Sequence, residues 1–169
     1  MYQFITLLTK FQKGLLVALV ISVFNISAAF AQNCSATLKV EKDRNAKSAY
    51  SDDAAVFNMV LTNTSANNVT YIMDTKNLTE SCATENKKTA TPNVPLNVEV
   101  RAGNSTGAVG NSITLRGGET RSFKIYVSVP PRTPFNTWSC IEVSAKGAEC
   151  NEATASTVLR VFVPEPSEG

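Results

Sequence analysis

The sequence predicts an all-β fold, a single antiparallel β-sandwich of seven or eight short strands with Greek-key connections. Within Thr114–Pro131, a turn at Gly117-Gly118 is followed by strict alternation. Phe123, Ile125, Val127 and Val129 fall on one face, and Ser122, Lys124, Tyr126 and Ser128 on the other. This period of two, in β-branched and aromatic residues, marks a strand buried on one side and places it at the centre of the sandwich. No stretch after residue 31 sustains a helical period. Turn signals recur between the short apolar runs, as they do in sandwiches.

The other strands follow in order. In residues 36–41, Ala36, Leu38 and Val40 alternate with Thr37, Lys39 and Glu41. Residues 42–53 carry charges of both signs and read as a loop. Residues 54–63 form the second strand, with Phe57, Met59 and Leu61 facing the core. A Ser/Thr/Asn turn at 64–68 suggests a hairpin to a third strand at 69–73. The polar stretch 74–95 is long for a loop in a compact domain and suits a Greek-key crossover. Leu96, Val98 and Val100 mark a fourth strand, and Ile113 with Leu115 a brief one after a Gly-rich loop. Pro130 cannot donate to a ladder and should end the central strand. Ile141, Val143 and Ala145 carry the next strand, and Leu159, Val161 and Val163 the last, with Arg160 on its opposite face.

Residues 1–31 read as a cleaved secretory signal. Lys10 and Lys13 precede an apolar run from Gly14 to Ile26, and Ala29-Phe30-Ala31 fits signal peptidase. The run is short for a membrane span. Residues 32–163 then form the domain and 164–169 a polar tail. Cys34 lies near the cleavage point, but Asn33 before it is too large for lipidation. Lys10 and Lys13 account for the formal charge of +2, so the mature part is neutral. A neutral surface argues against nucleic acid or an anionic membrane as partner.

Cys34, Cys82, Cys140 and Cys150 all lie in the mature part. An even count in an exported chain predicts two disulfides, of which spacing favours Cys140–Cys150 across a hairpin turn at residues 145–147. Cys34–Cys82 would then tie the first strand to the long loop. No C-x-x-C pair and no His is present, which disfavours a zinc site.

Phe57-Asn-Met-Val-Leu-Thr-Asn-Thr-Ser-Ala-Asn-Asn-Val-Thr and Leu115-Arg-Gly-Gly-Glu-Thr, running on through Val127-Ser-Val-Pro, resemble strands of bacterial extracellular immunoglobulin-like and fibronectin-type-III-like domains, including the CARDB type and surface repeats. The resemblance spans most of residues 36–163 and implies an Ig-like sandwich with an exported, non-catalytic role. It carries over no binding residue. A single free-standing domain with two disulfides departs from the spacer-repeat pattern.

Candidate chemistry is sparse. Without His, the commonest acid–base group is missing. Gly103-Asn-Ser-Thr-Gly107 matches G-x-S-x-G, but Ser105 lacks the strand-to-helix setting and His partner of a nucleophile elbow. Asp43, Asp52 and Asp53 could gather around calcium, yet they lack the regular acidic spacing of such a loop and sit among Arg44 and Lys47. Trp138 could stack on a sugar, but reads better as a core or half-core residue. Tyr50, Tyr71 and Tyr126 form no platform in sequence. Sequons at Asn33, Asn63, Asn68, Asn77 and Asn104 suit an Asn/Thr-rich surface as well as glycosylation. No catalytic, cofactor or metal residue is assigned. The expectation is a secreted or periplasmic Ig-like module that binds a protein or polysaccharide or builds surface structure. The alternatives are a periplasmic chaperone or assembly factor acting by β-strand augmentation, and a small inhibitor or carbohydrate-binding protein.

Overall fold

The computed structural model describes residues 34–80, 93–102, 111–150 and 154–166, all within the unit Gln32–Gly169. These residues form an immunoglobulin-like β-sandwich of two sheets. The strands are β1 (Ala36–Val40), β2 (Ala46–Ser48), β3 (Ala55–Asn63), β4 (Val69–Asn77), β5 (Asn97–Ala102), β6 (Ser112–Leu115), β7 (Thr120–Ser128), β8 (Thr137–Gly147) and β9 (Ala155–Val163). One sheet runs β1-β3-β7-β5 and the other β2-β9-β8-β4-β6. A 3-10 turn at Glu41–Asp43 joins β1 to β2. Among the described residues, no helix is long and apolar enough to cross a membrane.

The alternation seen in sequence becomes the inter-sheet core. Phe57, Met59 and Leu61 of β3 and Phe123, Ile125 and Val127 of β7 face Ile141, Val143, Leu159 and Val161 of β8 and β9. Each such side chain contributes roughly 1.5–3 kcal/mol on burial. β7 is hydrogen-bonded on both sides, with Met59 opposite Phe123 and Val98 opposite Val127. It is the central strand that its pattern indicated, and it ends before Pro130.

Three expectations are corrected. The segment 42–53 is not all loop, because β2 lies inside it and pairs in parallel with residues 160–162 of β9. A three-residue strand with every side chain exposed leaves no apolar alternation to read. Strands β3 and β4 are not a hairpin, because they belong to opposite sheets. A short polar turn reads the same whether it folds a strand back or arches it across the core.

The third correction concerns the disulfides. Cys34 bonds Cys150, with Cα atoms 6.5 Å apart, so neither Cys140–Cys150 nor Cys34–Cys82 forms. Strand β8 runs on through Gly147, which puts residues 145–147 inside the ladder rather than in a turn. Cys140 therefore lies mid-strand opposite Arg160, about 20 Å from the strand end at ~3.3 Å per residue. Cys150 lies past that end, where Gly147 leaves room. A Cβ on Gly147 would come within 2.6 Å of the Cys34 sulfur. Cys140 is itself disulfide-bonded. Cys82, the remaining cysteine of the sequence, is outside the described residues.

Candidate functional site

The feature that stands out is one edge of β9. In a strand, the N–H and C=O of a residue point to the same side, and successive residues alternate. The Arg160 N–H donates to Asn45 O and the Phe162 carbonyl accepts from Ala49 N–H, both on the β2 side. Ser156 and Val158 share that parity, so their backbone groups also point away from β8. However, β2 covers only residues 160–162. Among the described residues no strand pairs with β9 on that side at 155–159, although its other side is paired to β8 throughout. β1 lies next to β9 but belongs to the other sheet and forms its ladder with β3.

The open stretch reads Ala-Ser-Thr-Val-Leu, without charge or proline. Ser156 is exposed and Thr157 and Val158 are half-buried. The exposed edges of β4 and β5 are blunted. On β4, Met73 N–H donates to Asn111 O and sets the outward parity. The next outward N–H, of Thr75, is taken by Asp74 Oδ1 at 2.9 Å. Asn77 then imitates a strand partner, with Nδ2 donating to Leu96 O at 2.9 Å and Oδ1 accepting from Leu96 N–H at 3.1 Å. Edge strand β5 carries the Glu99–Arg101 ion pair at 2.6 Å, and Arg101 lies 4.0 Å from the Tyr126 ring centroid. The hydrogen bond from Arg101 holds the Glu99 carboxyl below the usual carboxylate range. Charge and side-chain capping are the usual protections against strand addition, and the 155–159 stretch of β9 carries neither among the described residues.

The residues singled out in sequence do not form a second centre. Asp43 lies in the 3-10 turn, while Asp52 and Asp53 follow β2. Among the described residues no three His, Cys, Asp or Glu side chains converge on a metal-sized site. Trp138 is half-buried but outside the inter-sheet core. It lies on the outer face, tilted against Phe162 with ring centroids 5.1 Å apart. Tyr71 and Asn63 are fully buried, Tyr50 is exposed and Tyr126 lies under Arg101. Burial removes Asn63 as a glycosylation acceptor. Asn33, Asn104 and Ser105 are outside the described residues.

Sequence reasoning missed a polar knot at one pole. Asn63 Nδ2 faces the carbonyls of Asn67, Arg116 and Leu115 at 2.7, 3.1 and 3.2 Å. Its Oδ1 accepts from Ser65 N–H and Ser65 Oγ at 2.9 and 2.7 Å. The Tyr71 hydroxyl lies 2.9 Å from that oxygen and 3.0 Å from Ser35 O. Burial pushes the Tyr71 hydroxyl pKa up. Asn63 ends a strand in the parity of its apolar neighbours, and that break in the pattern was the available signal.

No family model matches the chain, and no curated protein matches it. Among solved structures it is similar to a FixG-related protein from Vibrio parahaemolyticus, at 11% identity over 68% of this chain and 81% of that one, TM-score 0.44. It is also similar to the periplasmic chaperone SfaE, at 9% identity over 78% of this chain and 59% of that one, TM-score 0.44. A third is a family 123 glycoside hydrolase from Clostridium perfringens, at 9% identity over 76% of this chain and 27% of that one, TM-score 0.49. Likenesses this distant transfer no activity, partner or residue.

Proposed function

We propose that the protein is a non-catalytic binding module of an oxidising, extracytoplasmic compartment, and that it holds an extended segment of a partner polypeptide on the β9 edge. The observation that carries this reading is the outward backbone of Ser156 and Val158, which no strand pairs with among the described residues, in contrast to the capped β4 edge and the charged β5 edge. A peptide backbone is the natural complement of such an edge, so the partner is a polypeptide rather than a polysaccharide. The Cys34–Cys150 bond and the leader-like residues 1–31 support export. The absence of His from the sequence supports a role without acid–base chemistry.

The test uses proline. Val158→Pro removes an N–H that points away from β8, so the fold should survive while strand addition is blocked. Partners crosslinked to the wild-type protein in its export compartment should disappear in Val158→Pro and persist in Lys124→Ala. Equal crosslinking by both variants would refute the reading. The same purified material should begin at Gln32, and a chain retaining Met1 would contradict export with cleavage.

A further inference from the structure

The pole that holds Asn63 also carries an open depression of about 560 Å3. It opens between the β3–β4 turn and the β6–β7 turn, lined by Asn68, Thr114, Arg116, Glu119, Arg121 and the Gly117-Gly118 backbone. β6 lies three strands from β9 in its sheet, so this depression is separate from the open edge. Its volume can hold a small molecule, roughly 300–1,000 Å3 being usual, but it is an open surface depression whose lining residues, Glu119 apart, are exposed.

The walls are fixed from behind. Gly117 packs so closely on the β3–β4 turn that a Cβ would lie 2.4 Å from Ala66 O. Asn63 holds the carbonyls of Leu115 and Arg116. Glu119 Oε2 accepts the Arg116 backbone N–H at 2.8 Å, closing the turn. Such a site is formed before a ligand arrives, which lowers the cost of binding.

The charges select the ligand. Glu119 is paired with Arg121 at 3.1 Å. The Arg116 N–H, and secondarily the Arg121 guanidinium, hold its carboxyl below the usual carboxylate range, so it is ionised at neutral pH. The Arg116 guanidinium makes no ion pair among the described residues. The depression thus carries one net positive charge. A monoanion matches it, whereas a dianion would set a second negative charge against Glu119. A guanidinium fork fits a carboxylate with two parallel hydrogen bonds. The remaining lining is an amide, a hydroxyl and glycine backbone, with no large apolar side chain, which suits a ligand bearing hydroxyl groups.

From this arrangement we propose that the depression binds a hydroxylated monocarboxylate, a sugar acid, with Arg116 on the carboxylate and Asn68 and Thr114 on the hydroxyls. The test is an NMR titration of the full mature protein with D-glucuronate, and with D-glucose as the uncharged control. Glucuronate should shift the amides of Gly117 and Gly118, and glucose should not. Arg116→Gln should weaken glucuronate by about tenfold or more, as expected for loss of a charged hydrogen-bonding partner. Its own spectrum reports that it is folded. Val158→Pro should bind glucuronate normally, which separates this site from the β9 edge. Equal affinity for glucose, unchanged binding by Arg116→Gln, or the absence of shifts at Gly117 and Gly118 would each overturn the proposal.

Discussion

Two parts of this sandwich expose backbone to opposite treatment. At the Asn63 pole, strands end and turn, and the carbonyls left over accept from a buried amide, a serine and a tyrosine: Asn63 Nδ2 donates to Asn67, Leu115 and Arg116, Ser65 Oγ to Asn67, and the Tyr71 hydroxyl to Ser35. The Cys34–Cys150 bond then ties the start of β1 to the segment just past β8. Along β9 at 155–159, in regular strand, the outward backbone groups have no ladder partner among the described residues, although β1 of the other sheet lies nearby. Leaving irregular backbone unpaired when buried costs roughly 1–3 kcal/mol per group, so the pole must be satisfied within the chain. An edge in water bears no such penalty and is available to another chain. The contrast separates backbone that the fold completes from backbone that a partner can complete.

The pole should be the costlier place to disturb. The largest expected effect is from the double variant Cys34→Ala, Cys150→Ala, about 4 kcal/mol in urea unfolding for so long a closed loop. Peptide mapping without reduction should recover Cys34 joined to Cys150. Asn63→Ala should follow, at about 3 kcal/mol, because it orphans several buried groups at once. On β9 the effect should depend on parity. Thr157→Pro removes an N–H that faces β8 and should cost about 2–3 kcal/mol, while Val158→Pro should cost about 1 kcal/mol or less. Lys124→Ala, on the exposed face of β7, should change stability by less than about 0.5 kcal/mol. Equal losses from the two proline variants would break the comparison.

Much of the sandwich was legible because its core is written in period two. Phe57, Phe123, Ile141 and Leu159 all face the core as their spacing indicated. Pairing was less legible. Strand β2 has no buried side chain to mark it, and the turn at 64–68 looks like a hairpin although it arches between sheets. The cysteines were misassigned because β8 extends to Gly147, beyond where the alternation of large apolar residues stops. The candidate edge left almost no trace in sequence. Residues 155–159 look like any final strand, and their availability depends on where β2 stops, which only the three-dimensional pairing reveals. The absence of charge there, next to Glu99 and Arg101 on β5, was the one legible hint.

Amide hydrogen exchange on the isolated protein tests the central claim most directly. Thr157 and Leu159 face β8 and should be protected as core ladder amides. Ser156 and Val158 face outward and should exchange orders of magnitude faster, with protection alternating residue by residue along 156–159. Addition of the crosslinked partner segment should slow those two amides selectively. Uniform protection of 156–159 in the free monomer would show that the edge is already occupied and would contradict the account.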